Sequence, residues 1–171
     1  MMTILTEGNR GYDEKEKDVI AEHAAIAAVK YAFLKVSTPQ EIAFDIKESI
    51  NINGDSGPYL LYAYARCMSV IEKSKQVTIN NSQASDTKLN QEEHDLARLL
   101  LYYPEIIKYA AINYAPNALC TYLFTLAQAF NLLYAKHPIL ENNLRLILTK
   151  QTAETLKRGL YLLGIETVER M

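Results

Sequence analysis

A chain of 171 residues that is 49% hydrophobic and 22% charged can bury roughly two thirds of its unfolded surface, so it needs neither a metal nor a disulfide to fold. Its net charge of -2 does not by itself mark a nucleic-acid binder, and the two parts differ little: residues 1–58 carry 6 Lys/Arg against 10 Asp/Glu, residues 59–171 carry 12 against 10. No stretch approaches the ~20 consecutive apolar residues of a membrane span, and the first dozen residues show no apolar run or cleavage pattern, so a cytoplasmic protein is expected.

Residues 1–12, with Gly8 and Gly11, read as an irregular lead-in. From Asp13 the pattern turns helical. Asp13, Glu14, Glu16 and Asp18 complement the dipole of the first turns. Val19, Ile20, Ala24, Ile26, Ala27, Val29, Ala32 and Phe33 then follow at three- and four-residue spacing. Ser37-Thr38-Pro39 ends this helix. Residues 41–53 alternate loosely in polarity and fit either a short strand or a single helical turn. Gly54-Asp55-Ser56-Gly57-Pro58 is a turn, with Pro58 suited to a first helical position. The helix it opens runs to about Lys75, with Leu60, Tyr64, Cys67, Met68 and Ile71 along one stripe. Residues 76–89 are Ser/Asn-rich and predict a surface loop.

Asn90 with Glu93 forms a capping-box start, and Leu96, Leu99, Leu100 and Tyr103 supply an apolar face up to Pro104. A second helix is predicted from Pro104 to about Tyr114, and a third from Pro116, where Leu119, Tyr122, Leu123, Leu126, Phe130 and Leu133 keep helical spacing until His137-Pro138. The last helix starts near Leu140 and closes at Gly164. The fold class is therefore all-α: four or five amphipathic helices in an antiparallel bundle, with no internal repeat. Cys67 and Cys120 lie among apolar neighbours and read as small, reduced core side chains.

Candidate catalysis is thin. His23, His94 and His137 lack the spacing of a metal site, Glu92, Glu93 and Asp95 read as a solvated helix cap, and neither a phosphate-binding glycine loop nor a nucleophile elbow occurs. Tyrosine is abundant instead, with 12 residues against no tryptophan. Tyr59 and Tyr62 share a helix face, and Tyr102, Tyr103, Tyr109 and Tyr114 crowd a second region. Such rings either line the rim of a bundle core or stack unpaired RNA bases. The carboxy terminus is unusual in staying apolar to Ile165 and finishing on Met171.

At these positions the chain resembles arginyl-tRNA synthetases. Gly54-Asp55-Ser56-Gly57-Pro58-Tyr59-Leu60-Leu61-Tyr62-Ala63-Tyr64-Ala65-Arg66 is similar to the segment that opens their anticodon-binding (DALR-type) domain. Asn113-Tyr114-Ala115-Pro116, Tyr122-Leu123, Leu126-Ala127-Gln128-Ala129-Phe130-Asn131 and Tyr134 resemble its central helix. Gly159-Leu160, Leu162-Leu163-Gly164-Ile165 and Val168-Glu169-Arg170-Met171 resemble its end. Ala24 to Phe33 looks like the helix that follows the catalytic core.

The resemblance implies a bundle of the class I synthetase anticodon-binding type over residues 58–171. Residues 1–57 would be a helical connector following a catalytic domain, and the chain would then be a fragment or truncated product. The His-Ile-Gly-His-like and Lys-Met-Ser-Lys-Ser-like sequences of that enzyme class do not occur. The intact enzyme would be an arginine-tRNA ligase; this part would carry no catalytic residue, metal or cofactor, ATP being used by the missing domain. Carried over by position, Tyr59, Tyr62, Tyr134 and Met171 would meet the anticodon loop of an arginine tRNA. Asn131 and Arg66 are polar neighbours, Arg66 otherwise serving as a structural ion-pair partner. Leu61, Phe124 and Thr167-Val168 depart from the usual glutamine, tyrosine and Ala-Pro; loss of the glutamine amide at position 61 would remove one hydrogen bond near the anticodon loop. The alternatives are a freestanding helical tRNA-binding or protein-interaction module that self-associates through the helix of residues 13–36, and the related bundle of the glycine enzyme's second subunit.

Overall fold

The computed structural model describes residues 13–76 and 88–171, and no strand occurs among them. The expected lead-in and nearly all of the expected loop at residues 76–89 lie outside the described residues. Six helices follow in order: α1 (Glu14–Leu34), α2 (Ile46–Ser49), α3 (Gly57–Ser74), α4 (Gln91–Ile112), α5 (Pro116–Lys136) and α6 (Asn143–Leu162). The open choice at residues 41–53 resolves as α2, a single helical turn whose start is capped by the Asp45 side chain.

The caps explain where the helices begin. Asp13 with Glu16 and Asn90 with Glu93 form reciprocal capping boxes on α1 and α4, which satisfy backbone donors that have no partner inside the helix. Ser56 caps α3 and Asn142 caps α6, so α6 starts slightly later than the apolar pattern suggested. Gly164, at φ +68°, closes α6: its N–H bonds the Tyr161 carbonyl at 2.9 Å and the Ile165 N–H bonds the Leu160 carbonyl at 2.9 Å. That pairing ends a helix in a sharp, hydrogen-bonded reversal.

α4 packs chiefly on α5, α3 on α6, and α1 on α3. α5 runs through the middle, burying Leu119, Leu123, Leu126, Phe130 and Leu133. By length and composition alone α5 could cross a membrane, at a mean hydropathy of 1.3, which corrects the expectation that no segment comes close. Thr121, Thr125, Gln128 and Asn131 interrupt its apolar residues, so a search for one unbroken apolar run passes over it.

A second correction concerns Pro104. Instead of two helices meeting there, α4 runs continuously through it. Proline costs ~3 kcal/mol inside a helix because it deletes one hydrogen bond and crowds the preceding turn. Pro104 lies on the exposed face, where water can reach the carbonyl left without its partner. The apolar set of α1 also divides. Ile20, Ala24, Ala27 and Ala32 are buried, whereas Val19, Ile26, Val29 and Phe33 are exposed, Phe33 stacking on Phe44 at 5.7 Å.

α1 enters the common core through Ala24, Ala27 and Tyr31. The Tyr31 hydroxyl donates to Asp55 at 2.6 Å and lies 3.1 Å from the Cys120 carbonyl, tying α1 to the start of α3 and to α5. Burial pushes this phenol far above its ordinary value, and the Asp55 carboxylate adds to the shift. Cys67 and Cys120 are buried, free thiols; burial raises both, Cys120 to about 12.

The acidic start of α4 is not the solvated cap expected of it. Glu93 is only 4% exposed and accepts from Arg145 Nε at 2.6 Å. Glu92 pairs with Lys136 and with His137 Nε2, the latter at 3.2 Å. Adjacent carboxylates thus clamp the start of α4 to the end of α5 and the start of α6.

Candidate RNA-binding site

α3, α5 and the terminal segment converge on one cleft. Tyr59, Tyr62 and Arg66 fall at three- and four-residue steps along α3, which places them in a row. Asn131 and Tyr134 are neighbours in the same sense on α5. Because the two helices pack together, Arg66 becomes the centre of a connected set. Its Nη1 donates to Asn131 Oδ1 at 2.6 Å and its Nη2 to the Tyr62 hydroxyl at 3.0 Å. Asn131 Nδ2 in turn donates to the Tyr59 hydroxyl at 2.9 Å. The guanidinium lies 4.7 Å from the ring centre of Tyr62 and 5.0 Å from that of Tyr134.

All six residues singled out from the sequence are therefore accounted for in one place, with different positions in it. Tyr62, Arg66, Tyr134 and Met171 line a cleft of about 620 Å³, within the range of small-ligand sites. Asn131 and Tyr59 do not line it. Tyr59 is half-buried, its ring 5.3 Å from that of Phe124, and it supports Asn131 from behind. Arg66 both lines the cleft and bridges α3 to α5, and its contacts in this cluster are an amide, a phenol and two aromatic faces rather than the acid of an ion pair. The planar guanidinium suits this role because it donates in its plane while its faces stack on rings.

The cleft also holds residues that the sequence reading did not place there. Lys73 and Arg170 bring positive charge to the wall, and Glu72 and Glu169 bring negative charge. Lys73 stands seven residues after Arg66, two helical turns along the same face, and that spacing was a readable signal. Glu169 and Arg170 reach the cleft only because the chain folds back after Gly164, which no local pattern announces. Among the described residues, no group of three or more His, Cys, Asp or Glu is placed to hold a metal. The chemistry on offer is stacking surface, hydrogen-bond donors and acceptors, and a mixed-charge rim. That suits an unpaired base and its phosphate better than a bond-making reaction.

Comparison with known proteins points the same way. Residues 60–171 match the DALR anticodon binding domain family. The chain is 31% identical to an arginine-tRNA ligase of Pyrococcus furiosus, over 99% of this chain and 29% of that protein. It is 36% identical to one from Shewanella piezotolerans, over 99% and 30%. Among solved structures, it aligns with arginyl-tRNA synthetase of Thermus thermophilus at a TM-score of 0.87 and 30% identity, covering 99% of this chain and 30% of the other. The Plasmodium falciparum enzyme gives a TM-score of 0.82 at 26% identity, over 99% and 31%. The chain spans about 30% of the length of the relatives it matches.

Proposed function

Since the chain belongs to the DALR anticodon binding domain family, we propose that its cleft receives the anticodon loop of an arginine tRNA, as the tRNA-reading part of an arginine-tRNA ligase. The observation that carries this reading is that Tyr62, Arg66, Tyr134 and the terminal Met171 wall one and the same cleft. Arg66 holds Tyr62 and Tyr134 in fixed orientation before RNA arrives, so less side-chain freedom is lost on binding. A base splayed from the loop stacks on the 42% exposed Tyr134, while Lys73 and Arg170 meet phosphate. Phosphate contacts set register, and base contacts carry the selectivity.

On this reading ATP-dependent aminoacylation belongs to a catalytic region bearing the ATP-holding signatures that these 171 residues lack, and the chain alone is inactive in charging. The test is titration of an arginine anticodon stem-loop into the protein and into Tyr134→Ala. Loss of one stacked base costs ~1–3 kcal/mol, so the variant is expected to bind roughly 5- to 160-fold more weakly. Equal affinities would remove Tyr134 from the site. One observation favours a second reading: the exposed Val19, Ile26, Val29 and Phe33 on α1 fit a protein-interaction module. A concentration-dependent dimer in light scattering, with no RNA-dependent shift, would support that reading over the first.

A further inference from the structure

The terminal segment reaches the cleft from the end of α6, and α1 holds it on the way. α6 has no basic residue in its own last turn, so nothing within it balances the partial negative charge of its carbonyl end. Lys30 of α1 supplies that charge from another helix: its Nζ donates to the carbonyl of Gly164, the residue whose left-handed backbone turns the chain. Two turns earlier on α1, His23 Nε2 lies 3.2 Å from Glu166 Oε2. α1 thus grips the tail at two points, two residues apart. Beyond them Val168 is buried and Met171 forms part of the cleft wall. No residue of α1 lines the cleft.

We propose that Lys30 and His23 are positioning residues for the RNA site: α1 sets where Met171 stands in the cleft, and moving α1 withdraws it. The arrangement makes the cleft sensitive to whatever α1 packs against, because the exposed face of α1 and its tail-gripping side chains belong to one rigid helix. Binding of RNA against Met171 is by the same linkage felt at α1. Both grips are solvent-exposed, so each is individually weak and screened by salt. Their effect lies in geometry, since the tail has only a few residues between Glu166 and Met171 in which to wander.

The proposal rests on the RNA reading of the cleft for its binding readout, but not for its structural one. Isotope labelling of the methionine methyl groups in the full chain gives Met171 a resonance that reports the tail without RNA. In Lys30→Gln/His23→Ala this resonance is expected to move towards its random-coil position while the urea unfolding midpoint changes little. Restoring the cation, in Lys30→Arg on the wild-type background, is expected to leave it in place. Affinity for an arginine anticodon stem-loop should fall roughly two- to fivefold in the double variant and survive in Lys30→Arg. If buried Ile165 and Val168 alone hold the tail, the resonance stays put in the double variant and the proposal is overturned. A moved resonance with unchanged RNA affinity overturns it as well. A wild-type chain that binds no stem-loop, while the resonance still moves in the double variant, overturns the RNA reading and supports the grip of α1 on the tail.

Discussion

Tyr114 adopts a left-handed backbone, φ 49°, the one non-glycine residue to do so among those described. It follows the end of α4, where the Ala115 N–H bonds the Ala110 carbonyl at 2.9 Å, the same closure that Gly164 provides for α6. An L-residue held there stores of order 1–3 kcal/mol, and the 86% exposed ring of Tyr114 gains little burial in compensation. Tyr114→Gly relieves the strain but gives the unfolded chain more freedom. That freedom costs roughly 0.4–1 kcal/mol, less than the strain relieved, so the net expectation is a modest gain, seen as a higher urea midpoint; a lower one would show that the ring makes a contact outweighing the strain. The cleft shows the limits of reading single residues. Helical spacing puts Tyr59 and Tyr62 on one face, and resemblance adds Tyr134 and Met171. Neither shows that Arg66 is the hub, because its bond to Asn131 joins residues 65 positions apart and exists only once α3 and α5 have crossed.

At the scale of elements, periodicity found the helices wherever one face is buried and the other wet, as in α3 and α5. It failed where burial is shared differently. α1 is apolar nearly all round, so spacing could not tell the face meeting α3 from the exposed one. In α4 a proline on the exposed face cost less than the packing it left intact, and the two expected helices are one. What fixes α1 against α3 is the absence of a side chain. A Cβ at Gly57 would stand 2.2 Å from the carbonyl oxygen of Ala27, a backbone atom that cannot swing aside. Overpacking a well-filled contact costs typically 1–3 kcal/mol, and the upper end is expected here because whole helices must part. Gly57→Ala should therefore lower the thermal midpoint markedly and raise hydrogen exchange along α1. An unaltered exchange pattern would mean that the α1–α3 contact is looser than its geometry.

Over the whole molecule, stability should be bounded on both sides of neutrality by groups that join different helices. On the acid side, the Lys136 hydrogen bond, a backbone hydrogen bond and the His137 contact hold the Glu92 carboxyl at about 2 against an ordinary 4.5. Burial pushes Glu93 upward, but the bond from Arg145 and the backbone N–H bond prevail and leave it below the ordinary value. A carboxyl lowered on folding favours the folded state when ionised. Its contribution is complete above the unfolded value near 4.5 and drains away as pH falls towards 2. On the alkaline side the sign reverses: burial raises Cys120 from 9.0 to about 12, so its contribution is complete below 9 and is lost as pH climbs towards 12. Tyr31 is raised in the same sense, which extends that decline. The urea midpoint is expected to form a plateau between roughly pH 5 and 8 with a fall on each flank. The flanks separate by substitution, since Glu92→Gln flattens only the acid limb and Cys120→Ala only the alkaline one. The clamp belongs to the α4–α5–α6 end, the thiol and phenol to the α1–α3–α5 contact. Two independent limbs would show that the clamp and the buried thiol contribute separately to one cooperative stability, whereas an acid limb as steep in Glu92→Gln as in the wild type would remove the clamp from acid unfolding.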